Sequence, residues 1–200
     1  MTSTSSRSVP PLPDANYDEG KVPAYTLPDP LVLRDGIPIR DAEAWQNRRR
    51  PEIAQLFAEQ VYGKAPGRPE GMRFHVQSVE THALCGKATR TEVAVHFGDG
   101  DGPHMNILMY LPNSSPRPAP VFLGLNFFGN QSIHPDPDIT LSAQWVPNNP
   151  AFGIVDNRPT EASRGVQAQE WPVERIIDRG YGLATIAYGD LDPDFDDGFH

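Results

Sequence analysis

The sequence is poor in cysteine and in long apolar runs. Cys85 is the single cysteine of 200 residues, so no disulfide can form within the chain, and no second cysteine stands near it to form a thiolate metal site. No apolar run approaches the roughly 18 residues that cross a membrane. The first residues also hold no apolar stretch of the kind found in a secretory signal. These absences predict no membrane segment and leave the compartment open.

Basic residues are scarce as well. The chain has 17 Lys and Arg against 26 Asp and Glu, a formal net charge of -9. Nucleic-acid binding needs clustered Lys and Arg, so this class of function is excluded. The short basic run 48–50 lies among carboxylates and predicts a solvated helix face rather than a phosphate site. No pair of histidines has zinc-site spacing, so we expect neither a metal nor a cofactor.

Proline is abundant, with 22 residues, and its distribution divides the chain. Residues 1–30 are rich in Ser, Pro and Asp and predict a flexible N-terminal arm, whereas residues 31–200 predict a folded domain. Asp41 is a good N-cap for a first helix, after which we expect a bend near Pro51. Residues 51–62 have helical spacing of apolar residues, with Pro51 in the first turn and Gly63 as the stop.

A β-rich block follows. Residues 73–80, 88–97 and 104–111 alternate apolar and polar residues, which predicts an antiparallel meander. The residues expected to point inward are Phe74, Val76 and Val79 in the first strand and Thr91, Val93, Val95 and Phe97 in the second.

The pattern then changes to that of a parallel sheet. Residues 119–127 are nearly all apolar, which predicts a strand buried on both faces. A long polar loop over 128–165 precedes a crossover helix over 170–179, with Val173, Ile176 and Ile177 inward. Gly180 stops this helix, and residues 183–188 form a final buried strand that we expect to leave an exposed edge of the sheet. The fold class is therefore α/β.

An acidic segment follows the final strand, where ligands bind in open α/β sheets. It holds five carboxylates: Asp190, Asp192, Asp194, Asp196 and Asp197. An EF-hand needs glycine at its sixth position, but counting from Asp192 that position is Asp197. We therefore expect these carboxylates to cap turns and to pair with Arg or Lys, not to bind calcium.

Three stretches, residues 49–63, 120–130 and 179–199, resemble the bacterial glucuronoyl esterases, carbohydrate esterase family fifteen. The likeness covers residues 25–200 and is most specific in the third stretch. It implies the N-terminal part of an α/β-hydrolase fold and a serine esterase acting on glucuronoyl esters that join xylan to lignin. Members of this family are typically secreted or periplasmic.

The same resemblance implies where the catalytic residues lie. In the family the nucleophile follows the next strand, in a Gly-x-Ser-Arg-x-Gly-Lys turn, and the acid and histidine come later. No serine here has nucleophile-elbow flanks, Ser132 and Ser163 included, so the triad is expected beyond His200 and this chain alone is expected to be inactive. The partner is a glucuronoxylan-type carbohydrate ester.

The turn after the strand over 119–127 is the candidate substrate site. Its residues are Asn126, Phe127, Phe128, Gly129 and Asn130, and a backbone N–H from this loop commonly holds the oxyanion in α/β hydrolases. Gly129 would allow close approach of a substrate. An ordinary strand-to-loop turn is the alternative interpretation. His134 is expected at the surface, and Trp145 and Trp171 in packing positions rather than on a sugar.

The sequence is also compatible with two other functions. One is a different esterase of the same fold, such as an acetyl xylan esterase, because substrate-choosing residues fall mostly in the remainder of such enzymes. The other is a non-catalytic carbohydrate-binding or interaction module. The oligomeric state is also open.

Overall fold

The computed structural model describes residues 15–99, 102, 104–115, 118–193 and 195. They fall into two compact units, one ending at Ala65 and the other beginning at Pro66. Residues 1–14 of the predicted arm lie outside the described residues, as do Asp194, Asp196 and Asp197 of the acidic segment.

Besides a short 3-10 turn (Glu19–Lys21), the first unit contains one longer helical segment in three parts. They are α1 (Ala42–Ala44), a π-helical turn (Trp45–Arg49) and α2 (Arg50–Gln60). Asp41 caps the start as predicted, because its carboxylate accepts from the N–H of Ala44 at 2.7 Å. The helix does not end at the bend predicted near Pro51, because helical residues continue to Gln60. The π-helical turn directly before Pro51 admits the residue without ending the helix, since such turns shift the backbone hydrogen bonds to i→i+5.

The predicted solvation of the basic run is also wrong at its middle residue. Arg49 is buried, whereas Arg48 and Arg50 are exposed. The Arg49 guanidinium pairs with Glu52 and donates to the carbonyl oxygen of Pro30 at 3.0 Å. A buried guanidinium requires such partners, so Arg49 fastens the segment around Pro30 to the helix.

The second unit is built on a five-stranded sheet. Its strands are β1 (Arg73–Ala83), β2 (Ala88–His96), β3 (His104–Pro112), β4 (Val121–Asn126) and β7 (Gly182–Ala187). The order is β1-β2-β3-β7-β4, with β4 and β7 parallel and the other neighbours antiparallel. The predicted meander and parallel pair are both confirmed.

One face of this sheet is covered and the other is open in the described chain. The covered face packs Leu108, Tyr110 and Leu183 against α3 (Val173–Asp178), through Val173 and Ile177. Phe74, Val76 and Val79 lie on the opposite face and are exposed, so their predicted inward position is wrong. Strand alternation separates two faces, but it does not say which of them will be covered.

The same correction applies to part of the second strand, where Val95 is buried as predicted but Thr91 and Val93 are only partly buried. Val93 pairs with Val76 on the open face, whereas Arg90 and Glu92 share the covered face with their partners Tyr110 and Leu108. Arg90 and Glu92 are both buried. The covered face of β2 therefore carries the charged side chains. The long loop described below supplies their partners.

The last strand is buried as predicted, but the two parallel strands do not take the predicted positions in the sheet. β7 lies between β3 and β4 and is buried at all six positions, whereas β4 is the edge strand and is largely exposed. The prediction that the last strand is the exposed edge is therefore wrong. So is the prediction that β4 is buried on both faces, because its outer edge and one face are open in the described chain.

The loop between β4 and α3 contains no α-helix among its described residues, as predicted. It contains short 3-10 turns and one small hairpin, namely Asn130–Ile133, Pro150–Phe152, Glu161–Ser163 and the strands β5 (Ile154–Val155) and β6 (Arg158–Pro159). Buried charge pairs fasten this loop to the sheet. Asp136 pairs with Arg90 of β2, and Glu92 accepts from the N–H of Thr140 at 2.9 Å.

Candidate functional site

The end of β4 and the end of β7 lie side by side. Asn126, the last residue of β4, pairs with Ala187, the last residue of β7. The turns that follow these residues therefore meet at the carboxyl edge of the parallel pair, where ligands bind in open α/β sheets. All five residues of the predicted substrate turn lie in or directly after β4, at this edge.

Asn126 anchors this turn from below. Its side chain is buried, and its amide nitrogen donates to Asn130 Oδ1 at 2.8 Å and to Thr185 Oγ1 at 3.0 Å. Asn130 in turn donates to the carbonyl oxygen of Asn106 at 2.8 Å. These bonds connect β4, β7 and β3, so the turn is held on three strands.

Gly129 is required by the backbone of the turn. Its φ of 93° lies in the region that favours glycine, and an added Cβ would stand 2.5 Å from Gln131 Oε1. The Gln131 amide nitrogen donates to the carbonyl oxygen of Phe128 at 2.7 Å. The close approach at Gly129 is thus made by Gln131, which braces the turn from the side.

The turn also contains backbone donors without a partner among the described residues. The N–H groups of Phe128 and Gly129 make no hydrogen bond to another described residue. Two successive N–H groups in a rigid turn can hold a negatively charged oxygen, which is the chemistry of an oxyanion hole.

An aromatic cleft opens beside this turn, with a volume of about 380 Å³. Its lining is Phe127, Phe128, Trp145, Pro147, Asn148, Asn149, Tyr188 and Gly189. Phe127 is 63% exposed, and its ring lies 5.6 Å from that of Tyr188. Phe128 stands edge-on to Phe152 at 5.1 Å, which fixes its orientation. Such a lining suits a flat apolar or aromatic group.

A polar pocket lies on the other side of the same two turns, with a volume of about 200 Å³. Its lining is Gln77, Glu92, His104, Asn106, Asn130, Thr140, Leu141, Ser142, Ala143, Gln144, Ala187 and Asp190. Asn130 and Asp190 belong to this pocket, while their sequence neighbours Phe128 and Gly189 belong to the aromatic cleft. The two cavities are therefore adjacent and are separated by the turns themselves.

The carboxylates of the polar pocket differ in their surroundings. Glu92 accepts from Ser78 Oγ at 2.8 Å and from both the N–H and the hydroxyl of Thr140. Asp190 accepts from the N–H of Asn106 at 2.7 Å, yet burial outweighs this bond and raises the pKa of Asp190. Asp190 is therefore the carboxyl of this pocket whose charge is least well compensated.

Three predictions for individual side chains are settled by the structure. His134 is buried, so its predicted surface position is wrong. Its Nδ1 accepts from the N–H of Asp136 at 3.1 Å, which leaves Nε2 to donate to Glu174 at 3.0 Å and to lower the pKa of Glu174. Trp171 packs against the core and Trp145 packs on the ring of Phe195 at 4.9 Å, both as predicted, and Trp145 also lines the aromatic cleft.

In the described residues, the carboxylates of the acidic segment neither cap a turn nor pair with a cation. Asp190 accepts from Asn106, and Asp192 accepts from the hydroxyl of Tyr188 at 3.2 Å. Within the described residues neither forms an ion pair, and no three His, Cys, Asp or Glu side chains converge as metal ligands would. The predicted partnership with Arg or Lys is therefore wrong for these two carboxylates.

Sequence reasoning did not find the polar pocket. The signal for Glu92 was present, because Arg90 and Glu92 alternate with the apolar residues of β2 and so define a charged face. The residues that complete the pocket come from four separate segments. Their convergence depends on the path of the long loop, which no local pattern specifies.

Comparisons with known proteins show which proteins this chain resembles. No family model matches the chain. A curated protein from an unknown prokaryotic organism, named carbohydrate esterase MZ0003, is 49% identical over 181 residues, which are 90% of this chain and 42% of that protein. No helix of the described chain has the length and apolar character to cross a membrane.

Solved structures give the same result. A promiscuous CE15 esterase from a marine bacterial metagenome is 48% identical, with a TM-score of 0.77, over 90% of this chain and 45% of that one. A glucuronoyl esterase from Solibacter usitatus is 46% identical with a TM-score of 0.78, over 90% and 45% of the two chains. The chain thus spans less than half the length of these relatives. In sequence and in fold it is similar to the N-terminal half of these carbohydrate esterases, and its sheet is that of an α/β hydrolase.

Proposed function

We propose that this chain forms the substrate-facing N-terminal part of a serine esterase that cleaves glucuronoyl esters of aromatic alcohols, as found between xylan and lignin. The nucleophile, acid and histidine would come from sequence beyond His200, so the 200-residue chain alone is inactive. Within the complete site, the turn over 126–130 forms one wall. Its backbone N–H groups at Phe128 and Gly129 face the ester oxygen.

The aromatic cleft is the observation that supports this substrate class. An ester of a small alcohol, such as a methyl ester, would leave a cavity of about 380 Å³ lined by Phe127, Trp145 and Tyr188 largely empty. A benzyl-type alcohol would stack on these rings, with about 0.5–1.5 kcal/mol for each aromatic pair. The cleft is adjacent to the proposed oxyanion donors. The same turn would therefore bind both the alcohol and the carbonyl oxygen of the ester.

A chimera tests the proposal. This chain replaces the matched N-terminal part of the curated relative, and release of benzyl alcohol from a benzyl glucuronate ester is measured. We expect hydrolysis by the chimera and none by the 200-residue chain. The parent esterase, assayed on the same ester, sets the reference rate. A chimera that folds but leaves the ester intact would overturn the proposed function, as would hydrolysis by the 200-residue chain.

Variants of the chimera test the aromatic cleft itself. Phe127→Ala removes a ring that stacks on the alcohol, and we expect a loss of roughly two- to twelvefold in kcat/KM for the benzyl ester. Phe74→Ala is the matched control, because Phe74 is equally exposed, at 60% against 63%, but lies on the open face of the sheet. Equal losses for the two variants would contradict the assignment of the cleft.

A further inference from the structure

The polar pocket differs from the aromatic cleft in the chemistry of its lining. Four residues with carboxamide side chains line it, Gln77, Asn106, Asn130 and Gln144, together with the hydroxyl-bearing residues Thr140 and Ser142. A carboxamide offers both a donor and an acceptor, so such a lining matches ligands that carry several hydroxyl groups. The amides of Asn106 and Asn130 already bond within the protein, whereas an apolar ligand would leave the side-chain amides of Gln77 and Gln144 unpaired.

A β-bulge builds one wall of this pocket. The pairing of β1 with β2 shifts between Val76 and Ser78, so Gln77 is an extra residue with no partner of its own. The shift directs Gln77 to the pocket and places Ser78 on Glu92 at 2.8 Å, while Val79 stays on the open face opposite Thr91. Bulges are enriched beside active sites, where they re-aim a side chain.

The charge of the pocket restricts the ligand further. Glu92 and Asp190 both face it, so a second anion such as a uronate carboxylate would be repelled. Glu92 is already satisfied by three donors and Asp190 by Asn106, so neither presents the open set of oxygens that a metal cation requires. A neutral polyhydroxy ligand fits both restrictions.

The size of the polar pocket and its position beside the aromatic cleft restrict the ligand further. A cavity of about 200 Å³ has the volume of about seven liquid waters, which suits one sugar ring and is too small for an oligosaccharide. We propose that the polar pocket binds one neutral pyranose unit of a polysaccharide, next to the unit that carries the ester. This proposal deepens the proposed function and rests on it for the polysaccharide, because Asn130 and Asp190 place the pocket directly beside the aromatic cleft.

Side-chain amide resonances test the proposal on the 200-residue chain. The NH₂ signals of the four carboxamides are followed by heteronuclear NMR during titration with methyl β-xyloside and, separately, with sodium glucuronate and calcium chloride. We expect saturable shifts with the neutral xyloside and much smaller ones with glucuronate. Gln77→Ala should weaken xyloside binding roughly two- to twelvefold, the effect of one lost hydrogen bond.

Gln60→Ala is the matched control for the binding experiment, because Gln60 is exposed on α2 and is not part of the pocket lining. Absence of xyloside shifts at saturating ligand would overturn the proposal, as would equal shifts with glucuronate or shifts with calcium alone. None of these outcomes bears on the chimera, whose ester hydrolysis is measured independently. A chimera that cleaves the ester while the polar pocket stays empty would leave the proposed function intact and remove this inference.

Discussion

At the scale of single residues, Asp190 is the side chain most at odds with its surroundings. It lies directly after β7, where it is partly buried in the polar pocket and faces Glu92 and His104 across the cavity. One hydrogen-bond partner, Asn106, supplies both of its donors. Burial of a carboxylate without a cation disfavours its charged form, which explains the raised pKa of Asp190.

This raised pKa fixes the sign of a stability prediction. A carboxyl group with a higher pKa in the folded state contributes stability below its unfolded pKa and loses that contribution as the pH rises through the folded pKa. Asp190→Asn cannot ionise and retains an acceptor for Asn106. We therefore expect a higher free energy of unfolding than in the wild type at pH 7, and convergence of the two as the pH falls below the ordinary value of 3.8.

Urea unfolding across this pH range measures the difference. Asp138→Asn is the control, because Asp138 is an exposed carboxylate on the long loop. A wild-type protein more stable than Asp190→Asn at pH 7 would contradict the prediction and would mean that the charged hydrogen bonds to Asn106 outweigh burial.

Residue-level predictions from the sequence succeeded where the cause is local. Asp41 caps its helix and Gly180 stops another, because capping depends on the few residues on either side. His134 was predicted at the surface and is buried, since its position depends on Glu174, forty residues away. A polar residue in a loop gives no local sign of a distant partner.

At the scale of elements, the long loop is the part that gives the covered face its character. It crosses β2 and β3 and brings Asp136 to Arg90 and to the hydroxyl of Tyr110. Burial alone would raise the pKa of Asp136, but hydrogen bonds from the N–H of Asp138 and from Arg90 outweigh it and lower that pKa. The pair stabilises the docked loop above the ordinary pKa of Asp136 and loses this contribution as the pH falls through the lowered one.

Asp136→Ala therefore measures how much this pair contributes to the free energy of unfolding. Removing one partner leaves the Arg90 guanidinium buried without its counter-charge, and breaking a buried pair in this way costs about 3–5 kcal/mol. We expect a loss of this size in the free energy of unfolding by urea at pH 7. Asp138→Ala, two residues along the loop and exposed, should change it by less than about 0.5 kcal/mol. Similar losses for the two variants would contradict the role of the pair.

The elements themselves were predictable, whereas their arrangement was only partly so. Alternation located β1, β2 and β3, and helical spacing located α2 and α3, because these patterns reflect local geometry. The identity of the covered face and the position of β4 at the edge were not predictable in this way. Both depend on which segment lies against the sheet, and β7 enters between β3 and β4 after a loop of more than forty residues.

At the scale of the whole molecule, the open face of the sheet and its free edge meet at β4. Val121, Leu123 and Leu125 of β4 lie on the open face and are exposed. The other edge strand, β1, carries two register shifts that interrupt its pairing surface, whereas β4 pairs with β7 without a shift. Regular apolar edges are templates for pairing with another chain, so β4 is the edge at which association is expected.

Leu123→Lys tests this expectation in the 200-residue chain. A lysine in the middle of an edge strand opposes pairing between chains, because two such charges would meet and lose water. We expect the wild type to self-associate with rising concentration in sedimentation velocity, and Leu123→Lys to shift it toward monomer. Leu27→Lys is the control, since Leu27 is as exposed, at 75% against 71%, but lies outside the sheet. A monomeric wild type, or an equal effect of both lysines, would show that β4 is not a pairing edge. The open face would then remain exposed to solvent without causing association.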